Sequence, residues 1–358
     1  MPEPSTGTSI DTGTDRLAAH TTLRLGGPAE RFVRAASSEE IVAAVRAEDE
    51  AGAPVLVLGG GSNLVVADAG FAGTVVALTP PADPIRVEQD EQHATVTVAA
   101  GVPWDALVAR AVAEGWVGIE ALSGIPGTVG ATPVQNVGAY GQEVAQTIAS
   151  VRVWDRRERR EVRFAAADCG FGYRTSRFKT ERYDAAGGRH TVLDVTFRFP
   201  RGTTSAPVGY AELARTLAVE VGGTAPAAEV RSAVLGLRAG KGMVLDPGDH
   251  DTWSAGSFFT NPIVDPERVP AGAPSYRQPD GTVKTSAAWL IDHAGFAKGY
   301  RAGSGRAGLS TKHTLALTNR GAASTEDLLA LAREIRDGVA RRFGITLVNE
   351  PVLLGCRL

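Results

Sequence analysis

Three consecutive glycines followed by a hydroxyl and an amide, Gly59-Gly60-Gly61-Ser62-Asn63, are well suited to hold an anion. Backbone without Cβ atoms can approach a ligand closely and turn its N–H groups toward negative charge, as a pyrophosphate requires. A tight turn between strands draws on similar residues, although it needs one glycine and an asparagine rather than three glycines, so this segment alone leaves both readings open. A second glycine-rich loop with small hydroxyl residues, Ser123 to Gly141, can line the other side of an extended dinucleotide. Together the two loops suggest a cofactor held by backbone.

Other apparent signals are weaker. Gly303-Ser304-Gly305-Arg306-Ala307-Gly308 fits G-x-G-x-x-G, but it follows Lys298 to Arg301 rather than an apolar strand, and Leu309 to Asn319 after it looks like strand. The order strand, turn, helix that places phosphate at a helix start is missing. No G-x-x-x-x-G-K-[ST] occurs. The six histidines, His20, His93, His190, His250, His293 and His313, lack ligand spacing and have no cysteine cluster beside them, so no metal site is expected. Phe171 to Lys179 packs aromatics, Ser176 and three cations into nine residues, and Gly256 to Pro262 sets Ser257 between a glycine and buried-looking aromatics. By spacing alone the first reads as an amphipathic strand edge and the second as a turn serine bonded to its own backbone.

The elements that must position these residues alternate between helix and strand. Ser37 and Glu40 have capping-box spacing ahead of Ile41, Val42 and Val45, which predicts a helix ending at Gly52. Pro54 to Leu58 is a short apolar run that feeds the first glycine loop as a buried strand. Gly73 to Leu78, His93 to Ala100, Val151 to Trp154, Glu161 to Phe164 and His190 to Phe199 carry strand patterns, and Trp104 to Glu114 a helical one. Arg201 to Pro207 reads as a linker, Pro226 to Leu237 as a helix, and Val264 to Gly281 as a surface excursion without periodicity. A long helix through Leu328, Leu331, Ile335, Val339 and Phe343 closes at Gly344, and Ile345 to Val348 reads as a final strand.

Composition bounds the possibilities. At roughly 150 residues per domain, 358 residues make two or three domains. A hydrophobic fraction of 43%, a charged fraction of 22% and a net charge of -3 describe an ordinary globule and give no reason to expect nucleic acid. Cys169 and Cys356 offer one pair at most, which suits a reducing cytoplasm. No export signal or apolar run long enough for a membrane span is found. Residues 1–15 are polar and small, and are expected to be a disordered lead-in.

Six motifs then fall in one order. They are Leu58 to Leu64, Gly124 to Gly130, Gln135 to Gly141, Tyr173-Arg174-x-Ser176-x-Phe178-Lys179, Gly256 to Phe259 with Asn261-Pro262, and Asn349-Glu350-Pro351. In these residues the chain, from about Leu23 onward, resembles the UDP-N-acetylenolpyruvoylglucosamine reductase family. The resemblance implies an α+β fold: an FAD-binding region of two α+β subdomains of the vanillyl-alcohol-oxidase type at 16–200, a smaller α+β substrate-binding domain at 201–340, and a C-terminal return at 341–358. It implies non-covalent FAD, because neither loop has a histidine or cysteine at a flavin-linking position, and NADPH as hydride donor. Gly59, Gly60, Gly61, Ser62 and Asn63 would cradle the FAD pyrophosphate. Ser123, Gly124, Ile125, Gly127, Thr128, Gly130, Asn136, Gly138 and Ala139 would wrap the rest.

By the same resemblance Arg174 is the cation at the substrate carboxylate, Ser257 the proton donor and Glu350 the second acidic group. A serine hydroxyl is a feeble acid, adequate only because its acceptor is a strongly basic carbanion. Lys241 and Asn261 would hold the diphosphate of the UDP-sugar, with Tyr173 also at the substrate. Tyr210, in Val208 to Leu213, matches the tyrosine loop of the longer subtype and would be a lid residue; the alternative is a simple aromatic at the entry to a helix. Departures are Thr260 where a lysine is common, Phe171 for a frequent tyrosine, and the insertion at 264–281. The implied state is a monomer with small-molecule partners, away from membranes. Other expectations remain open: an oxidase of the same superfamily, or a UDP-sugar-binding module without turnover.

Overall fold

The computed structural model describes residues 10–11, 15–184 and 187–358. They form two compact units. Of these residues the first comprises 10–11, 15, 29–60, 72–184 and 187–239, and the second Arg16–Pro28, Gly61–Phe71 and Gly240–Leu358. This division differs from the expected boundaries at 200 and 340. Residues 201–239 pack with the first unit because Val208, Leu213, Ala214, Val230 and Val234 share a core with Ala121. Arg201 to Pro207 is therefore no linker between compact units: Ser205 and Ala225 are bonded through their main chains, and the Ala206 N–H donates to Glu120.

In the first unit the helix Ser38–Ala51 starts at the expected capping box, with Ser37 accepting from the Glu40 N–H and Glu40 reaching back, and it ends at Gly52 in the left-handed conformation. It lies by a sheet in the order Ile10–Asp11, Ala29–Ala35, Phe71–Leu78, Val55–Leu58. Residues 10 and 11 thus pair as a strand within the expected lead-in, while residues 1–9 and 12–14 of that call lie outside the described residues. Val55–Leu58 runs parallel to Phe71–Leu78, as a buried apolar strand tends to. A second, antiparallel sheet has the order Arg160–Ala165, Ile148–Asp155, His190–Pro200, His93–Ala99, Ile85–Gln89. Its inner face meets the helix Trp104–Ala113 in a core containing Val96, Val98, Trp104, Leu107, Val151 and Phe197.

In the second unit the helices Ala287–His293 and Thr325–Phe343 share a core with Phe258, Phe259, Leu309 and Leu317. Leu309 to Asn319, expected as one strand, is the end of a hairpin between Ala307–Leu309 and Leu317–Asn319. The stretch 264–281 is not featureless: Ile263–Val264, Ser275–Arg277 and Val283–Thr285 form a three-stranded antiparallel sheet. The expected strand Ile345 to Val348 keeps its alternation, with Ile345 and Leu347 buried, but forms no ladder. The final strand is Val352–Leu354, parallel to Leu64–Val66. Among the described residues no helix is long and apolar enough to cross a membrane, and no group of histidine, cysteine or carboxylate side chains is arranged to hold a metal.

Candidate active site

In the first unit the strand Val55–Leu58 delivers Gly59 and Gly60 directly onto the second glycine loop. A Cβ on Gly59 would lie 2.5 Å from Thr128 Oγ1, and one on Gly60 would lie 2.6 Å from the Gly127 Cα. Only glycine permits that approach. The second loop is pinned to the strand end and helix start beneath it. The Trp104 N–H donates to Gly127 O at 3.0 Å, the Val129 N–H to Val102 O at 2.8 Å, and the Gly130 N–H to Ala100 O at 2.9 Å. Gly124 and Gly127 both have positive φ, so the bends there are closed to most side chains.

Several side chains in this loop serve its architecture. The Ser123 hydroxyl is buried and donates to Glu120 O at 2.7 Å. The Gly124 N–H donates to Asp105 Oδ1 at 2.6 Å, and Asp105 holds Arg231 through two bonds of 2.7 and 2.8 Å. Burial raises the cost of the Asp105 charge, but the Arg231 fork and the Gly124 N–H outweigh it and hold its carboxyl below the usual range. Glu120, fully buried, accepts from the Gly118 N–H, the Gln142 amide and the Ala206 N–H. Ile125 packs at the margin of the core. Asp105, Arg231, Glu120 and Gln142 are structural supports of the loop that sequence reasoning missed, since no local motif ties Asp105 to an arginine in another helix.

Thr128 differs from its neighbours. Its Oγ1 is buried and has no hydrogen-bond partner, beside the bare backbone of Gly59. A buried hydroxyl left unsatisfied is costly unless a ligand completes it. These residues fit an anionic nucleotide cofactor. Gly61, Ser62 and Asn63, which continue the first loop, belong to the second unit; there the Thr22 N–H donates to Gly61 O and the Val352 N–H to Asn63 O.

Gly138 and Ala139 form a two-residue ladder with Gln142 and Glu143. Arg174 Nη2 donates to Gly138 O at 2.9 Å, bringing the expected substrate cation to the second glycine loop. The cation sits in a tight turn closed by reciprocal bonds between Gly172 and Thr175, with Arg174 at φ +53°. Phe171 to Lys179 is therefore a turn followed by the short helix Arg177–Thr180, not a strand edge. Ser176 Oγ donates to Val134 O at 2.6 Å and Lys179 Nζ to Arg174 O at 2.9 Å, fixing the turn from both sides. Tyr173 is exposed beside the Arg174 guanidinium. Tyr210 is exposed immediately before the helix Ala211–Thr216, its ring edge-on to Tyr140 at 5.5 Å.

In the second unit Ser257 follows Gly256, which has positive φ, and precedes two phenylalanines that are almost wholly buried. The Glu350 N–H donates to Phe258 O at 2.8 Å, and Phe259 bridges to Asn349. Ser257 and Glu350, 93 positions apart in sequence, are thereby carried on neighbouring extended segments. Asn261 Oδ1 accepts the Ala287 N–H at 3.0 Å, which leaves its amide nitrogen as the end to offer a ligand. Lys241 follows directly on the helix Ala227–Gly240 and is half-buried. The apparent fingerprint at 303–308 leads into the strand Ala307–Leu309 and opens no helix.

The chain has recognisable relatives. Residues 246–354 match the C-terminal domain of UDP-N-acetylenolpyruvoylglucosamine reductase, and residues 29–161 match an FAD binding domain. A UDP-N-acetylenolpyruvoylglucosamine reductase from Thermobifida fusca is 57% identical over 358 residues, spanning 96% of this chain and 97% of the relative. One from Cutibacterium acnes is 56% identical, spanning 99% and 93%. The crystal structure of the reductase from Thermus caldophilus superposes with a TM-score of 0.66 at 26% identity, covering 97% of this chain and all of the other.

Proposed function

Because this chain belongs to the UDP-N-acetylenolpyruvoylglucosamine reductase family, an FAD-dependent group that forms UDP-N-acetylmuramate for peptidoglycan, we propose how its own residues divide that reaction. FAD, when bound, carries hydride from NADPH to the enolpyruvyl ether. Gly59, Gly60, Gly61, Ser62 and Asn63 offer main-chain N–H groups to its pyrophosphate, and the Thr128 hydroxyl gains in the cofactor the partner it lacks in the protein. Gly124, Ile125, Gly127, Gly130, Gly138 and Ala139 shape the rest of the cradle.

Arg174 holds the substrate carboxylate, where negative charge develops. Its planar fork suits two oxygens better than a lysine point charge does. Ser257 Oγ gives its proton to the carbon next to the one reduced, and Glu350 steadies the enol oxygen if it keeps a proton of its own. Lys241 and the Asn261 amide take the diphosphate, with Tyr173 and Tyr210 beside the substrate. The single observation that carries this reading is the bond from Arg174 to Gly138 O, which ties the carboxylate cation to the loop expected to wrap the flavin. We place the enzyme in the cytoplasm as a monomer acting on small molecules.

The test is the visible spectrum of the pure protein. A yellow chromophore bleached by NADPH and restored by UDP-N-acetylglucosamine enolpyruvate is expected. Restoration by oxygen at the same rate, with no response to the enol ether, would overturn the reductase reading.

A further inference from the structure

Asn136 is almost completely buried and has φ +47°, and both donors of its amide and one acceptor position on Oδ1 are bonded within the protein. Nδ2 donates to Glu143 Oε2 at 2.7 Å and to Gly172 O at 3.2 Å, while Oδ1 accepts the Ala145 N–H at 3.2 Å. Gly172 opens the turn that carries Arg174, and Arg174 Nη2 donates back to Gly138 O. Two bonds therefore cross the same junction in opposite directions, one from each segment. Asn136 and Arg174 are both non-glycine residues in the left-handed region, a conformation that surrounding contacts must hold in place.

We propose that Asn136 is not a ligand of the cofactor but a positioning residue: with Glu143 behind it, it locks the Arg174 turn to the Gly138 loop, so that the guanidinium meets the substrate carboxylate correctly aligned. The proposal rests on the reductase reading. A buried side chain with both donors engaged has no N–H to offer a flavin without breaking one of those bonds. Glu143 matters because it orients the amide. A carboxylate accepts only, so it selects Nδ2 over Oδ1 on its side and thereby directs a donor at Gly172. Misplacing a positioned charge by as little as about 1 Å costs on the order of 10²-fold in rate, so loss of this lock shows in the step that uses Arg174.

The test separates the two half-reactions in the holoenzyme. Asn136→Asp suits the left-handed backbone but replaces both donors with acceptors and sets two carboxylates together. At pH 8 we expect unchanged flavin content and an unchanged rate of flavin reduction by NADPH. Reoxidation by UDP-N-acetylglucosamine enolpyruvate slows by about 10²-fold, in kcat more than in KM. In the double variant Asn136→Asp/Glu143→Gln the glutamine amide donates to the introduced carboxylate and removes the repulsion, but no donor returns to Gly172 O, so reoxidation stays slow; full recovery there would overturn the proposal.

Loss of flavin with normal turnover per bound flavin would make Asn136 a cofactor ligand and overturn the proposal. Unchanged reoxidation, or parallel loss of both half-reactions, would overturn it as well. If Asn136→Asp does not fold, Glu143→Ala provides the same comparison of half-reactions. Wild-type protein that NADPH fails to reduce would instead reject the reductase reading itself.

Discussion

The region around Arg174 and the region around Ser257 hold their functional groups by opposite means. Around Arg174 the main-chain closure between Gly172 and Thr175 is tied to its surroundings by side chains: Asn136 to Gly172, Ser176 to Val134, Lys179 to Arg174 and Arg174 to Gly138, on backbone with positive φ at Asn136, Tyr140 and Arg174. Around Ser257 the ties come from main chain: Phe258 to Leu315, Glu350 to Phe258 and Thr260 to Val348, with Phe258 and Phe259 buried as anchors. Polar substitutions should therefore disturb the first region and apolar truncations the second. A region held by side chains can be misaligned without unfolding, whereas one held by main chain and buried rings fails through stability.

The largest effect that sharpens this contrast is Phe258→Ala. Removing a ring that is 1% exposed should cost about 3–5 kcal/mol, read as a lower denaturant midpoint. A loss of activity without a loss of stability would break the comparison. Arg174→Lys should do the reverse, with turnover falling at least about tenfold at an unchanged midpoint, because the charge remains while the fork to Gly138 O and the substrate is lost. Unchanged turnover would remove Arg174 from the chemistry. Asp105→Ala, which strips partners from Arg231 and the Gly124 N–H, should cost about 1–2 kcal/mol, with the value held down by the partial exposure of Asp105. Weakened flavin retention is expected alongside it.

The remaining effects are in pH dependence. Burial opposes ionisation of Asp155, but the bonds from Arg189 and the Glu158 N–H win and bring its pKa to about 2. A depressed acid stabilises the fold above its unfolded pKa and loses that contribution as pH falls through the folded value, so Asp155→Asn should flatten the stability curve between about pH 4 and 2. His190 is shifted the same way for a different reason. Burial against Phe164 and Phe178 disfavours its charged form, although Asp155 and Glu181 face it and favour that form, with Arg189 and Arg177 opposing. The folded state then binds fewer protons than the unfolded one, so stability falls as pH drops below about 6.5, and His190→Phe should remove that slope. An identical slope in the variant would show that another group sets it.

Local rules reached further into the fold than into its pairings. The capping box at Ser37, the glycine ends at Gly52 and Gly344 and the buried strand Val55–Leu58 follow from residue types alone. Val352–Leu354 did not, because its partner Leu64–Val66 lies almost the whole chain away, while Ile345 to Val348 has the strand alternation but gains only the bond from the Thr260 N–H to Val348 O, with the bridge to Phe259 made by Asn349 beyond it. At the candidate site the roles proposed for the glycines, Arg174, Ser257 and Glu350 come from resemblance in motif. Asp105, Glu120 and Glu143 were not legible, since each works through a hydrogen bond that no local motif encodes. Asn136 was legible as a member of a loop but not in what its amide does.

The most direct measurement is anaerobic stopped-flow absorbance of Ser257→Ala, bleached with NADPH and then mixed with UDP-N-acetylglucosamine enolpyruvate. Bleaching at the wild-type rate with recovery slowed at least about 10²-fold is the predicted result. Equal slowing of both phases, or recovery at the wild-type rate, would contradict the assignment of Ser257 as the proton donor.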